Sequence, residues 1–177
     1  MSDTNVLGTI LGIGLTGALL FAFPLMTIAD RNDDIAQQAV QKKTVEFVDK
    51  EINTGAITQS DLDEYKEELS ALGHTFNIEL EVKVMDDNVG KKSEWTTSSV
   101  VGENVYYSVY TDTIEQQVYG SSGKFPMREG YILSSTATNT DVTIGQSLRS
   151  VFYAISGKGT YQLVGSHSGV CKNNGSH

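Results

Sequence analysis

Residues Gly12 to Gly17 spell GIGLTG, the GxGxxG spacing in which glycines let a backbone close on a dinucleotide pyrophosphate at a helix N-terminus. That chemistry also needs a strand before the turn, an amphipathic helix after it and an acid about 20 residues on. Asp33 and Asp34 stand near that distance, but the chain stays apolar through Ile28 and no βαβα alternation follows. Nucleotide binding is rejected, and no cofactor is expected. Asp30, Asn32 and Asp34 imitate the opening ligands of an EF-hand loop. The sixth position is Ile35 instead of glycine and the twelfth is Gln41 instead of glutamate, so calcium has no complete ligand set. Asp86, Asn88 and Gly90 fail in the same way, and no metal site is expected.

His74, His167 and His177 are far apart, and no GxSxG surrounds a serine, so nucleophilic catalysis has no constellation to work with. Cys171 is the only cysteine and sits in a polar tail beside Lys172; it forms no intrachain disulfide. Glu67 with Glu68, and Glu79 with Glu81, are carboxylate pairs at positions that read as exposed. The chain is not expected to be an enzyme. The spacing that remains is one of small residues. Gly8 and Gly12, then Gly14 and Ala18, are two small-xxx-small pairs of the kind that let helix backbones approach closely. With Phe21, Phe23, Pro24 and Ile28 they make a candidate assembly interface.

The element that carries these residues is Val6 to Ala29, 24 residues without an ionisable side chain. At about 1.5 Å per residue such a helix spans about 36 Å, enough for a bilayer core of roughly 30 Å. No Lys or Arg precedes the run, and it is longer than the usual signal-peptide core, so it reads as a retained helix. Pro24 removes one backbone donor and is expected to bend the last turns. Polarity changes abruptly at Asp30, yet Ile35, Ala39, Val40, Phe47, Val48 and Ile52 continue a helical stripe. One helix from about Val6 to Asn53 is expected, with a break at Asp30–Asp34 as the alternative and Gly55 as the terminator. A second helix starts at Thr58 as N-cap, buries Leu62, Tyr65, Leu69 and Leu72, and ends at Gly73.

Period 2 then takes over. Phe76 to Val84 alternates as a half-buried antiparallel strand, Asp86 to Lys92 is a turn, and a second strand runs near Asn104 to Thr111. Tyr106, Tyr107 and Tyr110 fall in that strand, part of them on an outward face. Ser121 to Gly123 is a loop tip and Tyr131 to Thr138 a third strand. Val142 to Ile155 reads as a helix, Thr160 to Val164 as a last short strand, and CKNNGSH as a tail.

The expected class is α+β: a long N-terminal hydrophobic helix continuing into an amphipathic stalk, plus a small antiparallel-sheet globular domain with one or two packed helices. Residues 1–54 form the helix and stalk, and 55–177 the globular domain. Net charge −9 argues against nucleic acid, whose phosphates would repel it. The charge is uneven: residues 30–123 hold 19 acids and 8 bases, residues 124–177 hold 2 acids and 5 bases.

The order of uncharged helix, charged continuation, GAITQSDLDEYKEEL (55–69) and ALGHTFNIELEV (71–82) resembles the TadE-like and pilin-like proteins of Gram-positive bacteria. The closest likeness lies between Phe47 and Val82, and SLRSVFYAISGKGTYQLVGSHSGV (147–170) is similar to the end of such chains. The resemblance implies a structural subunit of a bacterial extracellular filament, a homo-oligomeric helical polymer on the cell surface. Its N-terminal helix would be held in the membrane before secretion and assembly machinery packs it among its copies. Where type IV pilins carry a glutamate at the fifth position this chain has Asn5, and no basic leader with a processing site precedes the helix. Arg31, Lys42, Lys43 and Lys50 follow the span, which by the positive-inside rule alone places the domain in the cytoplasm; the resemblance implies the outside. A membrane-anchored binding or sensor module that never polymerises, and a virion or tail structural protein, are the alternatives.

Overall fold

The computed structural model describes residues 3–85, 106–143, 147, 150 and 162–175. Within them the chain is α+β. Helix α1 (Asp3–Thr54) runs unbroken through Pro24 and through the polar residues Asp30–Asp34, so the alternative of a break there does not occur. Two compact units divide the chain, Met1–Ala36 with Val142–Tyr161 and Gln37–Asp141 with Gln162–His177.

In the first unit, one polar contact is buried. Thr143 Oγ1 donates to Asp33 Oδ2 at 3.0 Å, and both residues are buried. Of the helix expected over Val142–Ile155, only residues 142, 143, 147 and 150 are described; Ser147 and Ser150 are helical and the Ser147 N–H bonds Thr143 O. The expected turn at Asp86–Lys92 lies outside the described residues.

The second unit follows α1 with β1 (Ala56–Thr58), α2 (Gln59–Ser70), β2 (Phe76–Met85), β3 (Tyr106–Tyr110), α3 (Thr111–Val118), β4 (Lys124–Pro126), β5 (Ile132–Asn139) and β6 (Val164–Val170). The main sheet is antiparallel with order β3-β2-β5-β6; β1 and β4 pair separately. Leu80, Val82 and Val84 of β2 point to the same side as Leu133, Ser135 and Ala137 of β5, and that side is buried. Glu79 and Glu81 lie on the opposite side with Ser134 and Thr136. The core on the buried side takes Val40, Phe47, Val48 and Ile52 from α1, Leu62, Tyr65 and Leu69 from α2, and Ile114 and Val118 from α3. The stripe expected on α1 is therefore core-facing from Val40 onward, whereas Ile35 is exposed.

Tyr65 fixes the centre of this layer. Its ring stacks on Phe47 at 4.3 Å, and its hydroxyl bridges Thr44 Oγ1 at 2.9 Å and Ser135 Oγ at 3.3 Å, so two buried hydroxyls of α1 and β5 are satisfied through it. Thr58 caps α2, as its sequence position predicts: its Oγ1 accepts from the Asp61 N–H at 3.2 Å and donates to Asp61 Oδ2 at 2.6 Å. Thr58→Ala should cost about 1 kcal/mol, read as a lower urea midpoint at unchanged slope. Gly73 takes φ +82 beyond the helix end, with its N–H on Ser70 O, as a terminating glycine should.

Three expectations are corrected here. The last strand is Val164–Val170; of the strand expected over Thr160–Val164, residues 160 and 161 lie outside the described residues and 162 and 163 are not strand. Its composition, VGSHSGV, is poor in strand formers, and its place is set by packing on α1. A Cβ on Gly165 would stand 2.5 Å from Thr44 Oγ1 and 2.8 Å from Val40 O, and one on Gly169 would stand 2.7 Å from Ile52 Cδ1. Gly165 must be glycine because one facing atom is backbone, whereas at Gly169 the Ile52 side chain would have to turn aside. Beside it, Gln37 and Gln41 of α1 each bond one residue of β6 through both amide atoms. Gln37 takes Val164 (2.6 and 2.9 Å), and Gln41 takes Ser166 (2.9 and 3.1 Å). These side chains satisfy backbone groups that an edge strand otherwise leaves open.

The second correction is that Cys171–Gly175 is no loose tail. Cys171 is buried, the Lys172 N–H bonds Ile52 O at 2.9 Å, and the Gly175 N–H bonds Met127 O at 2.9 Å. The third is α3, an eight-residue helix where none was expected, with Asp112 in its first turn and Ile114 and Val118 buried.

Candidate assembly interface

All eight residues of the candidate interface, Gly8, Gly12, Gly14, Ala18, Phe21, Phe23, Pro24 and Ile28, lie on α1. At about 100° per residue, Gly8 and Gly12 fall within about 40° of each other, with Phe23 close by. The backbone positions of Gly14 and Ala18 form a second pair about 120° around the helix, on the side of Phe21 and Ile28. The helix thus brings the set together as two small-residue faces and not as one seam.

Among the described residues, Gly8, Gly12, Gly14, Phe21, Phe23, Pro24 and Ile28 are all exposed. Eleven large apolar side chains between Val6 and Ile28 are exposed, from 55% at Leu25 to 72% at Phe21. A Cβ built on Gly8, Gly12, Gly14 or Gly17 meets nothing within 4 Å. Glycine in a helix interior costs roughly 0.5–1 kcal/mol relative to alanine, and no contact among the described residues offsets that. Two hydroxyls in the run are satisfied along the helix itself: Thr16 Oγ1 donates to Gly12 O at 2.7 Å, and Thr27 Oγ1 to Phe23 O at 3.0 Å. Their hydroxyls therefore add little cost to burial in an apolar medium. By length and composition this is one helix capable of crossing a membrane, a candidate anchor or signal sequence.

Charge begins where the apolar run ends and is organised between α1 and α2. Lys43 Nζ lies 2.7 Å from Glu68 and 3.3 Å from Glu46; hydrogen bonds to both carboxylates hold its pKa above the usual lysine value. Lys50 Nζ lies 2.8 Å from both Asp61 and Glu64, which likewise raise it. Farther along, Lys66 on α2 reaches Glu115 of α3 at 2.7 Å, although its burial opposes the charge that this pair favours. These pairs are exposed or half-exposed and are worth about 0–1 kcal/mol each. Burial of an exposed apolar side chain is worth roughly 1.5–3 kcal/mol, so each of the eleven outweighs one such surface ion pair.

The remaining residues singled out from the sequence do not converge. His74 Nδ1 is 3.0 Å from Asp141, and His167 Nε2 is 3.5 Å from Asp49. Burial opposes ionisation of Asp141, but hydrogen bonds from His74 and the Thr75 N–H prevail and hold its pKa below the usual value. Asp30 and Asp34 are helical, not in a loop, and among the described residues no three His, Cys, Asp or Glu side chains gather as a metal would require. Gly12–Gly17 is helix interior, without the strand and turn that GxGxxG chemistry uses. Glu51, Gln37 and Gln41 stand out only in the fold; as single polar residues on a charged helix they carry no spacing signal. Comparison of the chain with protein-family models, with curated proteins and with solved structures gave no match.

Proposed function

We propose that the chain is a pilin-like structural subunit of a bacterial extracellular filament, assembled by packing of its N-terminal helices after residence in the membrane. One observation carries this reading: α1 exposes a long apolar surface, and a Cβ on any of its four glycines meets no described atom within 4 Å. Residues that cost helix stability and gain no internal contact are accounted for by another backbone pressed against them. Two small-residue faces about 120° apart fit a helix with several like neighbours, as in a fibre core, better than a single pairwise seam. The charged helix surface and the sheet domain then form the outer layer. A lone membrane anchor is the second reading, favoured by the same helix length and by the frequency of glycine in spanning helices.

Gly12→Leu separates the two. A Cβ at Gly12 meets no described atom within 4 Å, so folding and membrane insertion should be retained. Electron microscopy of the cell surface, or of purified material, should show uniform fibres for the natural sequence and none for Gly12→Leu. A monodisperse, detergent-dependent monomer from the natural sequence, or fibres undiminished in the variant, would sink the filament reading.

A further inference from the structure

Glu51 stands in the last turn of α1 with no exposed surface, and neither carboxylate oxygen has a hydrogen-bond partner. An ionised carboxylate in that position has three penalties. Burial removes its water. The carbonyl end of the helix presents partial negative charge, and that turn holds no basic residue. Asp61, on the neighbouring α2, adds a like charge.

The compensating cation is committed elsewhere. Lys50 precedes Glu51 on the same helix, but its ammonium is hydrogen-bonded to Asp61 and Glu64. Among the described residues, the other segments closing on this end of α1 bring Glu51 no hydrogen-bond partner. Lys124 of β4 is half-buried, while Arg128, Glu129 and Lys172 are exposed. Burial first, then Asp61, pushes the Glu51 carboxyl up to about 8 against the pull of Lys50.

A closure made of backbone bonds surrounds this turn. Gly55 N–H returns to Glu51 O (2.9 Å), Lys172 N–H reaches Ile52 O (2.9 Å), Met127 N–H reaches Gly55 O (2.7 Å), and Gly175 N–H reaches Met127 O. Gly55 has φ +80 and its α-carbon faces Asn173 and Gly175 with no room for a side chain.

We infer that Glu51 is a proton-operated latch: its carboxyl is neutral when α1, β1, β4 and the segment 171–175 are closed together, and its ionisation opens that closure. The sign follows from linkage. The folded carboxyl binds its proton more tightly than an open one, so closure is strongest below the ordinary glutamate value near 4.5. It weakens progressively as pH rises toward about 8 and changes no further above it. Asp61, Glu46 and Asp141, whose carboxyls are shifted downward, work in the opposite direction and below pH about 4, outside that window. The latch does not depend on the filament reading.

Hydrogen exchange on the full chain in detergent micelles tests it, with rates corrected for intrinsic pH dependence and Glu51→Gln as the comparison. Protection at Met127, Lys172 and Gly175 should fall about tenfold per pH unit between pH 5 and 8 in the natural sequence. In Glu51→Gln it should stay flat. Parallel profiles in the two proteins would overturn the latch. A carbon-13 titration of the natural protein needs no variant: a Glu51 carboxyl midpoint near 8 is expected, and one at the ordinary glutamate value would overturn it.

Discussion

Gly165→Val is expected to lower the melting midpoint of the sheet domain steeply. The first added carbon lands 2.5 Å from Thr44 Oγ1 and 2.8 Å from both Val40 Cγ1 and Val40 O. One of those atoms belongs to the backbone of α1, so the conflict is not relieved by a rotamer change alone. Moving Thr44 breaks its bond to the Tyr65 hydroxyl, which also serves Ser135. Overpacking by itself costs about 1–3 kcal/mol, and the lost buried hydroxyl contacts add about 1–3 more. The sum approaches the 5–15 kcal/mol that holds a typical domain together. Circular dichroism on heating reads the result directly. Gly8→Ala is the control, because its added carbon meets nothing and the domain midpoint should not move. A Gly165→Val protein melting with the natural midpoint would mean that β6 does not lie so close to α1.

The second large effect concerns the apolar half of the same helix. Leu15→Lys combined with Leu20→Lys should release the chain from lipid vesicles in a flotation gradient, while the natural sequence floats. Both side chains are about two-thirds exposed, at 65% and 66%, so the fold itself makes no use of them. A lysine near the centre of a spanning helix costs roughly 2.5–3.5 kcal/mol, and the leucine it replaces contributes about 0.5. Two exchanges therefore shift partitioning by about 6–8 kcal/mol, more than four orders of magnitude. Helical content should be nearly unchanged. A double variant that still floats would show that this surface is not what holds the chain to lipid.

Much of the architecture is legible in residue order because its signal is long or strictly periodic. The uncharged run of α1 and the ten-residue alternation of β2 each exceed the length at which chance patterns fade. The Thr58 cap is equally readable, since hydroxyl and acid stand at the spacing the helix start requires. By contrast, α3 gives only two turns, too few to display a period, and β1 and β4 have three residues each. β6 is hidden for another reason: two glycines and two serines argue against a strand, yet the glycines are what let the strand lie on the helix. Tertiary packing overrides propensity there. Of the candidate interface, glycine spacing is visible because it depends on one element alone. Glu51 is not, because an acid among acids and bases reads as solvated until the segments around it close.

The paired contacts of Gln37 with Val164 and Gln41 with Ser166 set two rulers side by side. Four residues of helix advance about 6.0 Å, while two residues of extended strand advance about 6.8 Å. The graduations agree within an ångström for two marks and drift further apart at each mark beyond. The residue at the next mark on α1 is Val45, which has no amide to offer. Farther on, His167 Nε2 stands 3.5 Å from Asp49, and Lys172 N–H makes a direct backbone bond to Ile52 O. Such a pairing works as a vernier: it reads true at one sliding position of strand against helix. The stretch Gln37–Gln41 thus indexes the sheet along the helix, fixing where the last strand must stop as well as which face it covers.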